Sequence, residues 1–421
     1  SGGPVGDGAD RSREAVVNTV VTGLGVVAPT GAGIEEYWAN TLAGHSAIGP
    51  LTRFDGEAYQ LRLAGQVPEF TATDHMSSRL AVQTDRWTHF GLAAATEALT
   101  DAGAAPLADT GIDEYELAVV TAVSSAGNGF GQGELGSLWS RGPQHVTAFQ
   151  SIAWFYAAMT GQISIRHGMR GPCGVLATEQ AGGLDAVGQA RRVLRSGARL
   201  VLAGGGEAAL SPYAVVCQQA NGLMSTQSAP ARGYRPFSAE TTGYVPGEGA
   251  AVMVLEDADS AAARGVTRHH GRIRGYAATF DPRPGIRRPP ALARAARLAL
   301  ADAGLRPGDV DVVFADAAGV PRLDRVEAAA IGELFGPRGV PVTAPKVATG
   351  RLSAGGAALD LVTALLAIRD SVIPPTPGIA PDPAYQLDLV TDRPREARLE
   401  TVLVLARGFG GFNSAVVVTA A

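Results

Sequence analysis

The sequence predicts an α/β fold built as two halves, and three observations carry the prediction. Short, continuous apolar runs recur at residues 117–121, 174–178, 200–203, 250–255 and 310–315, the mark of strands covered on both faces. Helical patterns lie between these runs. After the acidic, alanine-rich stretch 256–265 the alternation begins again. Residues 16–260 are therefore expected to form an N-terminal half and 261–421 a C-terminal half. Residues 1–15, SGGPVGDGADRSREA, carry no apolar run and read as a flexible tail without a secretion signal.

The first strand is expected over 16–27, β-branched and broken by glycines, entering a turn at Pro29-Thr30-Gly31. Residues 90–102 read as a helix stopped by Gly103. Residues 185–196 read as another, with Leu184, Val187, Ala190 and Leu194 on one stripe and Gly197 as the stop. In the second half the pattern gives a strand at 271–277 and a helix at 292–303. A further helix follows at 359–368, and closing strands at 401–406 and 414–418. The Pro/Arg-rich stretch 282–290 reads as a surface loop.

Composition narrows the function classes. Charged residues are 18% of the 421 and glycines number 54, so the chain is expected to be compact, heavily buried and rich in tight turns. Net charge −5 lacks the basic footprint of a nucleic-acid binder. Two cysteines, Cys173 and Cys217, make neither a disulfide framework nor a metal set, and both read as packing residues. No apolar run reaches the roughly 20 residues a membrane span needs. The expectation is a cytoplasmic protein with no metal, no cofactor and no membrane or nucleic-acid partner.

One segment has the layout of a catalytic elbow. The strand ending at Thr178 runs through Glu179-Gln180-Ala181-Gly182-Gly183 into the helix, a strand-turn-helix that would present Gln180 at a helix N-terminus. A thiol enzyme would hold cysteine there, because a helix N-terminus lowers the thiol pKa. Glutamine cannot serve as a nucleophile.

With these residues the chain resembles a β-ketoacyl synthase of the thiolase superfamily. The matching segments run from Val20-Val21-Thr22-Gly23-Leu24-Gly25 to Gly408-Phe409-Gly410-Gly411-Phe412-Asn413. They include Arg235-Pro236-Phe237, Gly243-Tyr244-Val245-Pro246-Gly247-Glu248-Gly249-Ala250 and Pro345-Lys346. The resemblance implies a pseudo-duplicated αβαβα layered fold, with two mixed five-stranded sheets and helices between and outside them. It also implies a cysteine and two histidines. Gln180 stands at the cysteine position, Ala318 (in Asp316-Ala317-Ala318-Gly319) at the first histidine, and Arg351 (in Lys346-Val347-Ala348-Thr349-Gly350-Arg351) at the second. Lys346 is kept.

That combination, with the string Glu179–Ala186 and with Ala153-Trp154-Phe155-Tyr156, resembles the chain-length factor, or ketosynthase β subunit, of bacterial type II polyketide synthases. The resemblance implies a non-catalytic subunit paired with an active ketosynthase α subunit, extending a chain on acyl carrier protein that brings malonyl or polyketide groups. It implies Asn128, Gly129 and Phe130 as tunnel-lining candidates, although a plain turn explains them equally well. It implies the strand Cys173, Gly174, Val175, Leu176, Ala177, Thr178 as a pairing edge in the heterodimer. Gln180 is expected to fill a dead pocket and hydrogen-bond locally, Arg351 to form an ion pair. The alternatives are a malonyl-carrier-protein decarboxylase acting through Gln180, and a pseudo-enzyme partner in another thiolase-like complex. The decarboxylase needs donors for an enolate oxygen, and Ala318 supplies none.

Overall fold

The computed structural model of the chain describes residues 18–283, 285–286 and 288–421; the expected tail 1–15 lies outside them. In chain order the elements that build the fold are β1 (Thr19–Ala28), α1 (Arg86–Asp101), β2 (Leu117–Ala122), α2 (Asn128–Arg141), α3 (Ala158–His167), β3 (Cys173–Leu176), α4 (Gly182–Arg195), β4 (Leu200–Glu207), α5 (Pro212–Gln219) and β5 (Gly249–Asp257). The second half adds β6 (Gly271–Phe280), α6 (Leu292–Ala303), β7 (Val312–Phe314), α7 (Pro321–Phe335), β8 (Pro341–Thr343), α8 (Ala354–Asp370), β9 (Asp388–Leu389), β10 (Thr401–Arg407) and β11 (Phe412–Thr419).

Five layers result. On β4, Leu200 and Leu202 face one way and Val201 and Ala203 the other, the period of two that a doubly covered strand requires. The first pair packs under α1 and α3 with Phe90, Leu92, Met159 and Ile163. The second faces the central layer, where α4 and α8 bring Leu184, Val187, Leu361 and Leu365 against strands of both halves. Beyond the C-terminal strands, α6 and α7 cover Val313, Leu403 and Val417. Every residue of α8 from Ala354 to Ile368 is buried, so it shows no polar face.

The two expected five-stranded sheets are joined. The strands run in one order, β9-β8-β7-β10-β11-β6-β1-β5-β4-β2-β3, and with Gly31–Ala32 paired onto the end of β1 they make one twelve-stranded sheet. The joint is the antiparallel pairing of Val20 with Arg272 and Val21 with Gly271. A side chain at Gly271 would stand 2.7 Å from the Thr419 carbonyl oxygen, so this corner closes only on glycine. The strand β3 ends the series and, among the described residues, pairs with β2 alone.

Several boundaries differ from the sequence expectation. α1 begins at Arg86, because Asp85 accepts the Trp87 N–H and caps a first turn whose polar residues hid it. α4 starts at Gly182, where the elbow already supplies the turn, and α8 at Ala354. β3 stops at Leu176, since Ala177 and Thr178 already bend toward the elbow. Residues 128–141, part of which reads equally well as a plain turn, form the helix α2. Among the described residues no helix is long and apolar enough to cross a membrane.

Candidate functional site

The elbow between β3 and α4 is a single turn of 3-10 helix, Glu179–Ala181. Gln180 does not reach the open side of it. The side chain is fully buried and lies over Gly356 of α8, where an added Cβ would come within 2.3 Å of Gln180 Nε2. Among the described residues neither its amide oxygen nor its amide nitrogen has a hydrogen-bond partner. The local hydrogen bonding expected of Gln180 is therefore absent: the side chain is held by packing between the two central helices. An unpaired buried amide of this kind costs about 1–3 kcal/mol.

Its neighbour Glu179 takes the outward position. Glu179 has φ +53°, a conformation L residues seldom adopt, and that backbone turns its carboxylate into the cavity. Oε1 accepts from Ser353 Oγ at 3.0 Å and Oε2 accepts from the Phe409 backbone N–H at 3.0 Å. Ser353, φ +48°, precedes α8 much as Glu179 precedes α4. Its hydroxyl also lies 3.1 Å from that of Ser124. Sequence reasoning missed Glu179 as a site residue because only the backbone angle decides which elbow residue points outward.

Above the elbow lies a cavity of about 760 Å³, whose lining includes Ser124, Glu179, Cys217, Ala318, Arg351 and Ser353. Gln180 and Lys346 are not part of it. Ala318 contributes only a methyl group. Arg351 is spent on its neighbours: Nη2 donates to both Asp316 carboxylate oxygens at 3.0 and 3.1 Å and to the Arg407 carbonyl at 2.7 Å, and Nη1 donates to the Asp316 carbonyl. Burial pulls the Arg351 pKa down, but the Asp316 and Glu179 charges outweigh it and hold the guanidinium above its ordinary value.

The loop carrying Ala318 is fixed from below by two more carboxylates. Glu327 accepts the Asp316 and Ala317 N–H groups at 2.7 and 2.8 Å, and Asp324 accepts those of Gly319 and Phe237. Burial, with the Asp316 charge, pushes Glu327 up to about 7, and burial pushes Asp324 up to about 6. Lys346 lies behind the site with Nζ 2.5 Å from Asp360 Oδ2. Burial pushes Asp360 up to about 6 despite that cation.

Among the described residues the lining holds no histidine, Arg351 does not deprotonate, and both lining carboxylates are engaged, Glu179 by Ser353 and the Phe409 N–H and Asp281 by Arg407 and Asn413, so a thiol or hydroxyl here finds no free base. Cys217, expected as a buried packing residue, is exposed and sits on the cavity wall; Cys173 is exposed on β3. Among the described residues no group of three or more His, Cys, Asp or Glu can hold a metal ion.

The remaining candidates lie apart from the cavity. Asn128, Gly129 and Phe130 form the first turn of α2 and are not among the lining residues. Cys173 to Leu176 form the unpaired outer edge of the sheet, with Ala177 and Thr178 leading on to the elbow. Around them is a broad exposed apolar surface: Trp139, 83% exposed, and Leu135 on α2, Ile165, 75% exposed, on α3, and Trp154, Phe155 and Tyr156 between.

Comparison with known proteins gives a consistent picture. The family profile Beta-ketoacyl synthase, N-terminal domain, matches residues 18–261, and Beta-ketoacyl synthase, C-terminal domain, matches 270–380. The tetracenomycin polyketide synthase ketoacyl synthase beta subunit of Streptomyces glaucescens is 57% identical over 401 residues, covering 95% of this chain and 97% of that protein. Among solved structures, the ishigamide ketosynthase/chain length factor superposes with TM-score 0.86 at 29% identity, covering 97% of this chain and 100% of that one. A type II polyketide synthase acyl-carrier protein in complex with its ketosynthase bound to the hexaketide gives TM-score 0.85 at 29% identity, covering 96% and 99%.

Proposed function

The chain belongs to the beta-ketoacyl synthase family, and we propose that within it this chain is a non-catalytic, chain-length-determining subunit. It pairs with an active ketosynthase α subunit, and the pair elongates a polyketide held on acyl carrier protein. The observation that carries the reading is the elbow itself. An intact ketosynthase scaffold presents a hydrogen-bonded carboxylate, Glu179, where a nucleophile would work, and folds Gln180 away into the core.

Two features support the pairing. Among the described residues the outer edge of β3 leaves its N–H and C=O groups unpaired, and such an edge invites a strand from another chain. The surrounding surface exposes Trp, Tyr, Phe, Leu and Ile side chains, the residue types that anchor protein interfaces. In this arrangement α2 and the 128–130 turn meet the partner, and these residues shape the tunnel from this side. The division into halves near residue 260, the assignment of Asn128, Gly129 and Phe130 to the tunnel, and a cytoplasmic setting belong to the same proposal. Two exposed free thiols suit a reducing compartment.

The decarboxylase reading fares worse. Malonyl decarboxylation builds an enolate oxygen that needs preorganised donors, and loss of one such donor typically costs about a hundred to a thousandfold in rate. Here the Phe409 N–H is already taken by Glu179, whose charge also opposes an incoming carboxylate, and Ala318 donates nothing. The test is carbon dioxide release from malonyl carrier protein by the purified chain. We expect none above background. Release that Gln180→Ala abolishes would establish the decarboxylase instead.

A further inference from the structure

The segment 124–130 joins the cavity to the surface proposed to shape the tunnel. Ser124 and Ser125 line the cavity, and Asn128 to Phe130 open α2. The segment does little to hold itself in place. Ala126 sits at φ +55°, and Gly127, the residue before α2, has no side chain to cap it. Its one internal backbone bond runs from the Asn128 N–H to the Ala126 carbonyl, and the N–H groups of Ser124, Ser125 and Phe130 go to two acids from distant parts of the chain. Glu207, the last residue of β4, accepts the Ser124 and Ser125 N–H groups through Oε2, at 3.0 and 2.7 Å. Asp85 accepts the Trp87 N–H through Oδ1 and the Phe130 N–H through Oδ2 at 2.7 Å, so one carboxylate caps both α1 and α2. Glu207 is fully buried and Asp85 is 8% exposed.

We infer that Asp85 and Glu207 are positioning residues for chain-length selection: they fix the 124–130 segment and with it the tunnel wall. The inference rests on the reading of this chain as a chain-length subunit. Neither acid lies in the elbow, and neither need touch the acyl chain. A Cβ at Gly129 would stand 3.4 Å from Asp85 Oδ2, so the anchor borders this turn directly.

Isosteric amides break the anchors while keeping the shape. Both Asp85 oxygens serve N–H groups, and an asparagine amide serves only one of them. Glutamine at 207 likewise turns one oxygen, engaged with Ser124 and Ser125 or with Ala208, into a donor. The experiment uses the reconstituted heterodimer with cognate α subunit and malonyl-loaded carrier protein, carrying Asp85→Asn, Glu207→Gln or, as a direct tunnel probe, Asn128→Trp. Product length is read by mass spectrometry and amide exchange over 124–130 by hydrogen–deuterium exchange.

The expected result is exchange about tenfold faster across 124–130, the loss of one buried hydrogen bond. The α1 core stays protected, and the products spread to chains differing by two-carbon units. Unchanged exchange and an unchanged product in both amide variants, while Asn128→Trp still shifts length, would overturn the inference and leave the chain-length reading standing. If Asn128→Trp also fails to shift length, that reading falls and takes the inference with it. Failure of both amide variants to form a heterodimer would reduce the acids to general supports and overturn the inference as well.

Discussion

Ser353 and Glu179 meet between the two central helices: each is a non-glycine residue with positive φ, Ser353 at the start of α8 and Glu179 opening the turn before α4, and Ser353 Oγ donates to Glu179 Oε1 at 3.0 Å. Backbone strain of this kind costs on the order of 1–3 kcal/mol per residue and persists where the surrounding structure enforces it. In this chain it closes a site. The carboxylate that strain turns outward satisfies the Phe409 N–H, which would otherwise be free to bind an acyl oxygen.

Restoring the missing side chains alone should therefore fail. The pair Gln180→Cys and Ala318→His puts the thiol in the buried position of Gln180, over Gly356 and off the cavity, while Glu179 keeps the outward position and the Phe409 N–H. Intact-mass measurement after incubation with acyl carrier protein is expected to show no acyl adduct. Adding Glu179→Ala, which empties the outward position and frees the Phe409 N–H for an acyl oxygen, is expected to allow one. Adduct formation with Glu179 in place would contradict its blocking role.

The contact between Gln180 and Gly356 predicts a coupled pair. Gly356→Ala places a methyl group on the Gln180 amide and is expected to cost about 1–3 kcal/mol by denaturant unfolding. Gln180→Ala in the same chain should remove most of that cost. Gln180→Met, which replaces the unpaired amide with an apolar group of similar length, should be neutral or stabilising. A large loss with Gln180→Met would mean that the amide has a partner.

Arg351 predicts the opposite behaviour. Arg351→Ala strands the fully buried Asp316 carboxylate, and breaking a buried pair from one side typically costs about 3–5 kcal/mol. The expected outcome is a sharp drop in soluble chain and in unfolding midpoint, with no gain of activity. Unfolding at the wild-type midpoint would show that Asp316 does not depend on it.

Stability should fall as pH rises toward neutrality. Glu327 sits at about 7 in the folded chain against an ordinary 4.5, and Asp324 and Asp360 at about 6 against 3.8. A carboxyl whose folded pKa is raised gives up its proton first in the unfolded chain. Its favourable contribution is full below the ordinary value and is lost as pH climbs through the folded one. The thermal midpoint of this chain is expected to decline between pH 4.5 and 7, and Glu327→Gln to flatten that decline. An unchanged slope in that variant would remove Glu327 as a source.

Much of the architecture is legible in the sequence, because buried strands leave continuous apolar runs and amphipathic helices leave stripes. Such runs place β4 and β5, and a stripe places α4. The start of α8 is not legible, since a helix buried all round has no period to read, and part of α2, opening in Asn128-Gly129-Phe130-Gly131, passes equally well for a turn. The joining of the sheets at Gly271 depends on a tertiary contact with Thr419 that no local pattern encodes. At the site, substitutions at 180, 318 and 351 are visible directly. The outward turn of Glu179 is not, because φ is set by packing across the halves.

The most direct test of the account is mass spectrometry of the acyl chain built by the reconstituted pair, this chain with its cognate ketosynthase α subunit and carrier protein, comparing wild type with Asn128→Trp. Elongation is expected to need both subunits, and the Trp variant to give a shorter product. An α subunit that makes the full-length product alone, or a product length that Asn128→Trp leaves unmoved, would contradict it.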